Sequence, residues 1–252
     1  MRLMGKPQQG WIFIGKNRLS RIDFLHKLTS SKAMIHKVTL IPGETLDIFF
    51  DDLSKKLKLN RERLMEYYHA YSAYPEAGIY ANTYYVPVGI GERHLIHFLV
   101  RESEKHYRAL SEKIYGNYDK IQWGKVLTIA SIIQKEAAND KEMPLVASVI
   151  YNRLRKKMRL QMDGTLNYGR YSHVKVTPER IKRDKSSFNT YKIKGLPPSP
   201  IGAVSLSAIK AAVGPAKTDY LYFTKNKGGT HDFSRSFRAH RKNIKKAKKQ
   251  KR

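Results

Sequence analysis

The chain has no cysteine in 252 residues, which excludes a disulfide framework, a thiolate metal site and a cysteine nucleophile together. It also lacks any apolar run approaching the roughly 20 residues that a membrane-spanning helix needs. Trp11 to Ile14 is apolar but is closed off by Gly10 and Gly15, and it reads as a strand rather than an anchor. Acidic residues are scarce: 21 Asp and Glu stand against 49 Lys and Arg, a formal net charge of +28. Such an excess points to an anionic partner. Nucleic acid, an acidic membrane surface and an anionic cell-wall glycan all qualify. No helix-turn-helix pattern, RNP-type motif or Gly-rich phosphate loop accompanies the charge, which makes a basic nucleic-acid-binding protein the weaker reading.

What is present suffices for one large domain or two small ones, with 41% hydrophobic residues to build a core. The segment up to His36 is basic, with a short helix expected over 20–28. Lys37 to Ile41 alternates like a strand, and Pro42-Gly43 marks a turn. Thr45 is placed to cap a helix carrying Leu46, Phe49, Phe50 and Leu53 at helical spacing. A second helix follows with Leu64, Tyr67 and Tyr68, and residues 75–89 read as a loop and short strand. Further helices are expected over 94–115, 121–138, 144–158 and 205–213, with short pieces from 159 to 183 and a strand over 218–226. The polybasic end, KNIKKAKKQKR, reads as disordered.

One ionisable group stands out. Counting back from Glu136 by three and four gives Ile133 and Ile132, then Ile129, so the carboxylate continues an apolar stripe. A carboxyl partly withdrawn from water has its pKa raised, as a general acid at neutral pH requires. Spacing alone leaves two readings open: that acid, or a helix-end glutamate that reaches into solvent. His94 and His97 stand three apart, a spacing able to place two ligands on one face, but no third ligand completes a metal pattern. His231, in GGTHDF, falls in a Gly-rich turn after a strand.

From residue 130 onward ASIIQKEA, VASVIYNRL, MRLQMDGTLNYG, FNTYKIKGLPPSPI, AAVGPAKTDYLYF and GGTHDF occur in that order. Together they resemble the endolytic murein transglycosylases, the MltG or YceG-like family. Upstream, PEAGIYANTYY is similar to another element of that family, retaining Glu76, Thr83 and Tyr84, and IPGETLDIFFDDLSKKLKLNRERL resembles a LysM-like module. The resemblance implies an α+β protein with a small LysM-like βααβ lobe, a larger mixed α/β catalytic lobe, and a cleft between them holding Glu136. The expected division is a basic segment 1–36, a glycan-binding lobe 37–88, a catalytic lobe 89–240 and a basic tail 241–252.

The resemblance further implies a lyase that cuts nascent peptidoglycan strands between MurNAc and GlcNAc, forms 1,6-anhydro-MurNAc ends and so limits strand length. Glu136 would be its catalytic acid, the last acid of a run whose first position is here Gln134. Substrate-binding positions carried over are Glu76, Asn152, Arg153, Gln161, Asp163, Thr165, Asn189, Tyr191 and His231, with bracing roles equally open for those from Asn152 onward. Asp163 precedes Gly164 where the family often has proline, which suggests a more mobile loop. No cofactor or metal is implied. The expected partners are peptidoglycan strands and the glycan-polymerising synthases, with no nucleic acid. The expected location is the periplasmic face of the inner membrane, held by an anchor that this chain does not include. A catalytically silent glycan binder is the alternative.

Overall fold

The computed structural model describes residues 18–30 and 34–249, so the Trp11–Ile14 stretch lies outside it. A short helix α1 (Arg21–Ser30) precedes the strand β1 (Ile35–Thr39). Two helices, α2 (Leu46–Leu57) and α3 (Arg61–Tyr71), then lead to β2 (Thr83–Pro87), which pairs antiparallel with β1 so that Val38 faces Tyr84. This is the expected β-α-α-β order. Alternation along β1 buries Val38, and helical spacing in α2 buries Leu46, Phe49, Phe50 and Leu53. Those side chains meet Leu64 and Tyr68 of α3 in one apolar core.

The long helix α4 (Glu92–Tyr115) belongs to both halves of the molecule. Leu95, Ile96, Leu99 and Val100 on its first half close the core of the β-α-α-β unit. Tyr107, further along, packs against Trp123 in a second core. That second core is built on α5 (Lys120–Glu136), wrapped by α6 (Met143–Arg155) and α8 (Leu206–Val213). Asp119 caps α5 by accepting a hydrogen bond from the Gln122 amide. Between α6 and α8 the chain breaks into two 3-10 turns, at Asp163–Leu166 and Gly169–Tyr171, and the short α7 (Pro178–Arg183). A hairpin of β3 (Tyr222–Lys225) and β4 (His231–Ser234) follows, and α9 (Phe237–Lys249) closes the described chain.

Three expectations are corrected. The basic tail is not disordered over its described length: it forms α9, because His240, Asn243, Ile244 and Ala247 recur at helical spacing and turn inward onto the hairpin. The strand expected over 218–226 is confined to β3, since the Thr218 and Tyr220 carbonyls are taken by the Asn152 side chain instead of by a neighbouring strand. Thr45 occupies the N-cap position of α2, but its hydroxyl donates 2.8 Å to the Gly169 carbonyl, and the Leu46 amide at the helix start is satisfied by Glu76 Oε1 at 3.1 Å.

Those last two bonds belong to a seam joining the halves. The Gly43 amide donates to the Ala203 carbonyl and the Ala203 amide to the Glu44 carbonyl, each at 2.7 Å. Gly202 must be glycine there, because a Cβ would stand 2.9 Å from the Gly43 carbonyl oxygen. Glu44 Oε2 lies 2.8 Å from His173 Nε2, and Lys135 Nζ donates to Ser172 Oγ at 3.2 Å. Burial pushes the Glu76 carboxyl from its ordinary 4.5 up to about 8, overcoming the Leu46 and Ala77 amides that favour the anion.

The shift has a stability consequence. The unfolded carboxyl gives up its proton near 4.5 and the folded one near 8, so folding takes up a proton between those values. Stability from this group is complete below the lower value and declines as pH rises through the higher one. Glu76→Gln keeps an acceptor for Leu46 without a titrating proton, so its urea midpoint is expected to fall less than wild type between the two values. Glu76→Ala leaves the α2 amide unsatisfied and is expected to cost about 1–2 kcal/mol throughout. Parallel wild-type and Gln curves would show that Glu76 titrates normally.

Candidate active site

Glu136 is the last residue of α5, with Ile129, Ile132 and Ile133 buried below it as the stripe predicts. The side chain is partly buried and borders a cavity of about 340 Å³. Its Oε1 accepts the Gly164 amide at 2.7 Å. Burial pushes the carboxyl up to about 7; the Gly164 N–H pulls against this, the Asp163 charge adds to it, and the Arg153 cation opposes it. The geometry therefore holds a carboxyl near half-protonation at neutral pH on the wall of an open cavity. Such a group can deliver a proton to a leaving oxygen and take one back.

Arg153, Gln161, Asp163 and Tyr191, four of the residues picked out from the sequence, share this cavity with Glu136. Arg153 reaches it from the end of α6 while its guanidinium donates to the Leu221 carbonyl at 2.6 Å and to the Leu160 carbonyl. The same group lies 5.2 Å from the centre of the Tyr222 ring. Tyr191 donates its hydroxyl to Asp163 Oδ1 at 2.6 Å; burial, then that bond, raises the phenol well above its usual range. Asp163 is thus engaged by a neighbour, while Glu136 faces the cavity with one oxygen held by a backbone amide.

The other five stand elsewhere. Asn152 is buried and its amide bridges the Thr218 and Tyr220 carbonyls at 2.8 and 2.9 Å. Thr165 and Asn189 are fully buried: Thr165 bonds the Met162 carbonyl and Thr190, and Asn189 bonds the Ile181 and Asp184 carbonyls. Thr165 and Asn189 shape the loops that carry Gln161, Asp163 and Tyr191, while Asn152 braces the segment that leads into β3. His231 opens β4 rather than lying in the turn, and holds Glu142 through its backbone amide at 2.7 Å and Nδ1 at 2.8 Å. Glu76 caps α2 at the seam.

The cavity also has a different boundary from the one expected. Its described lining runs from Glu136 to Ile244, with no residue of 37–88, so its far wall is the β3–β4 hairpin and α9 instead of the first lobe. Tyr222, Phe237, His240 and Ile244 were missed in the sequence reading. The signal available was the helical spacing of Phe237, His240 and Ile244, which runs from the end of the expected catalytic lobe into the basic tail. His240 stacks on Tyr222 with ring centres 5.1 Å apart, and its buried Nδ1 has no hydrogen-bond partner among the described residues. Gly164 is buried within the 3-10 turn Asp163–Leu166, and its amide, which a proline would lack, is tied to Glu136. Among the described residues no group of three or more His, Asp or Glu could hold a metal ion, and no helix is long and apolar enough to cross a membrane.

Among the described residues the chain is a mixed α/β protein with two two-stranded sheets and a carboxyl at the end of a buried helix. The chain belongs to the YceG-like family, whose model matches residues 5–246. A crystal structure of a yceG-like protein from Listeria monocytogenes superposes with a TM-score of 0.71 at 31% identity, covering 88% of this chain and 80% of that one. The endolytic murein transglycosylase of Bacillus subtilis (strain 168) is 35% identical over 148 residues, 59% of this chain and 41% of that protein. The endolytic murein transglycosylase of Streptococcus pneumoniae (strain D39) is 38% identical over 104 residues, 39% of this chain and 19% of that protein. The chain thus spans about two fifths of the first relative's length and a fifth of the second's.

Gly164 offers a direct test of how the acid is held. A Cβ there would stand 2.9 Å from Glu136 Oε1 and 2.9 Å from Lys135 Cβ, so Gly164→Ala must displace one of them. The expected result is a lost amide bond and a Glu136 carboxyl titrating above its wild-type value, read by carbon-13 NMR, with about 1–3 kcal/mol of stability lost. An unchanged titration would mean that the amide does not set the acid's pKa.

Proposed function

We propose that the chain is a peptidoglycan lytic endotransglycosylase with Glu136 as its single acid–base. The observation that carries this reading is the Glu136 carboxyl itself: burial brings it to about 7, and it faces a cavity while tethered through one oxygen to the Gly164 amide. The names of the Bacillus and Streptococcus relatives supply the substrate class. In the proposed reaction protonated Glu136 gives its proton to the oxygen linking MurNAc C1 to GlcNAc. The C1–O bond breaks, and the GlcNAc of the next segment leaves as an alcohol. The Glu136 carboxylate then takes the proton of the MurNAc C6 hydroxyl as that oxygen bonds to C1, closing a 1,6-anhydro ring. A hydrolytic glycosidase uses a second carboxylate as nucleophile or water base. Here the substrate's own hydroxyl replaces water, which suits a cavity whose other carboxylate, Asp163, already accepts from Tyr191. Arg153, Gln161 and Tyr191 are proposed to contact the sugars.

The β-α-α-β unit at 37–88 is proposed as a LysM-like glycan-holding lobe, and 89–240 as the catalytic lobe. Action on nascent strands would limit their length and place the protein beside glycan-polymerising synthases, on the outer face of the cytoplasmic membrane.

The test is cleavage of uncrosslinked glycan strands with product ends read by mass spectrometry. Wild type is expected to yield anhydro-MurNAc ends from internal cuts, and Glu136→Gln to lose at least a thousandfold in rate. Reducing ends would make the chain a hydrolase, and undiminished cleavage by the Gln variant would remove Glu136 from its role. No cleavage by folded wild type would favour a glycan-binding protein. Because the reaction needs the protonated acid, kcat/KM is expected to fall tenfold per pH unit above about 7.

A further inference from the structure

Helix α9 presents two faces. His240, Asn243, Ile244 and Ala247 turn toward the protein, and His240 and Ile244 form part of the Glu136 cavity wall. Arg238, Arg241, Lys242 and Lys245 occupy positions i, i+3, i+4 and i+7 of the opposite face, and all four are exposed. They line a groove of about 650 Å³ together with Phe237. Phe237 also lines the Glu136 cavity, so the two depressions share a wall.

The arrangement works against the helix that carries it. Like charges three and four apart repel. Arg238 sits in the first turn, at the positive end of the helix macrodipole where cations are disfavoured, and that turn has no acid to offset it. None of the four makes an ion pair among the described residues; the ion pairs present lie elsewhere. Four convergent cations without a carboxylate, in a groove contiguous with the catalytic cavity, are a site for a multiply charged anion attached to whatever fills that cavity.

We propose that this groove binds the carboxylates of the acidic peptides borne by a murein strand, so that α9 selects peptide-bearing glycan over bare glycan. The inference rests on the glycan-cleaving reading. The shared Phe237 wall favours a group covalently attached to the cavity's occupant over a lipid bilayer or a nucleic acid, either of which would need only the charge.

The experiment compares strands carrying their peptides with the same strands stripped by an amidase. The proteins are wild type, R238Q/R241Q/K242Q/K245Q, and a control K113Q/K125Q/K141Q/K210Q that removes equal charge from exposed sites elsewhere. Wild type and control are expected to show kcat/KM about tenfold higher on peptide-bearing strands, a difference carried by KM and erased at about 0.5 M salt. The α9 variant is expected to treat both substrates alike, at the wild-type rate for stripped strands. Wild-type indifference to the peptides, a control that behaves like the α9 variant, or an α9 variant that also loses kcat on stripped strands would each overturn the proposal. A fluorescent acidic peptide titrated in parallel decides the matter independently of cleavage. If no preparation cuts any strand, the reaction assigned to Glu136 fails, while peptide binding by wild type and not by the α9 variant still supports the groove. Binding to anionic vesicles or an oligonucleotide that depends on α9, with none to the peptide, would assign the groove to that other partner instead.

Discussion

The last turn of α5 is the constraint from which the site is built. Ser131 Oγ accepts the Ile201 amide and Gln134 Oε1 accepts the Ser205 amide, fixing the segment that leads into α8. Lys135 reaches Ser172, and Glu136 holds Gly164. Four side chains on a turn and a half of helix thereby anchor three loops distant in sequence. The turn can do this because the helix below it packs mostly apolar side chains into the second core, so its axis cannot tilt without opening that core. The acid is held by the same rigidity that places the loops around it, which is how a catalytic group on a helix end stays oriented.

A chain with an excess of 28 positive charges keeps several of its few acids inside. Glu44, Glu76, Glu136 and Glu142 each accept at least one backbone amide: from Thr45, Leu46, Gly164 and His231 respectively. All four sit where chain segments far apart in sequence meet, for Glu44 also holds His173 and Glu142 the His231 ring. At Glu76 and Glu136 burial outweighs the amides and raises the carboxyl, whereas at Glu142 burial is outweighed by the His231 and Ala138 bonds, which lower it. Lys135, between Glu44 and Glu76, is lowered by its own burial, against the pull of both acids. At the seam between the two cores, folding thus takes up a proton at Glu76.

Helices were legible wherever an apolar period ran uninterrupted, as in α2, α4, α5 and α6, because a 3.6-residue period needs no partner to be recognised. The acid was legible as a break in the period of α5. The loops from 159 to 200 were not, since their conformation is set by bonds between residues 25 or more positions apart: the Met162 amide and the Thr165 hydroxyl to Thr190, Gly164 to Glu136, and Tyr191 to Asp163. The tail was misjudged for a related reason: charge dominates its composition, and its inward residues become a face only once the β3–β4 hairpin is there to receive them.

By itself the sequence determined which helices form, that Glu136 ends an apolar stripe, and that the surface is strongly cationic, because each depends on local period or composition alone. Only the tertiary structure decided which carboxyls are buried, which of the expected polar residues face the cavity and which brace its walls, and that α9 forms the far side of the site. Those outcomes depend on contacts between residues tens to a hundred positions apart. A hydrogen bond from Gly164 to Glu136, or from Asn152 to Thr218, has no local signature, since the energy that selects it arises only when packing brings donor and acceptor together away from water.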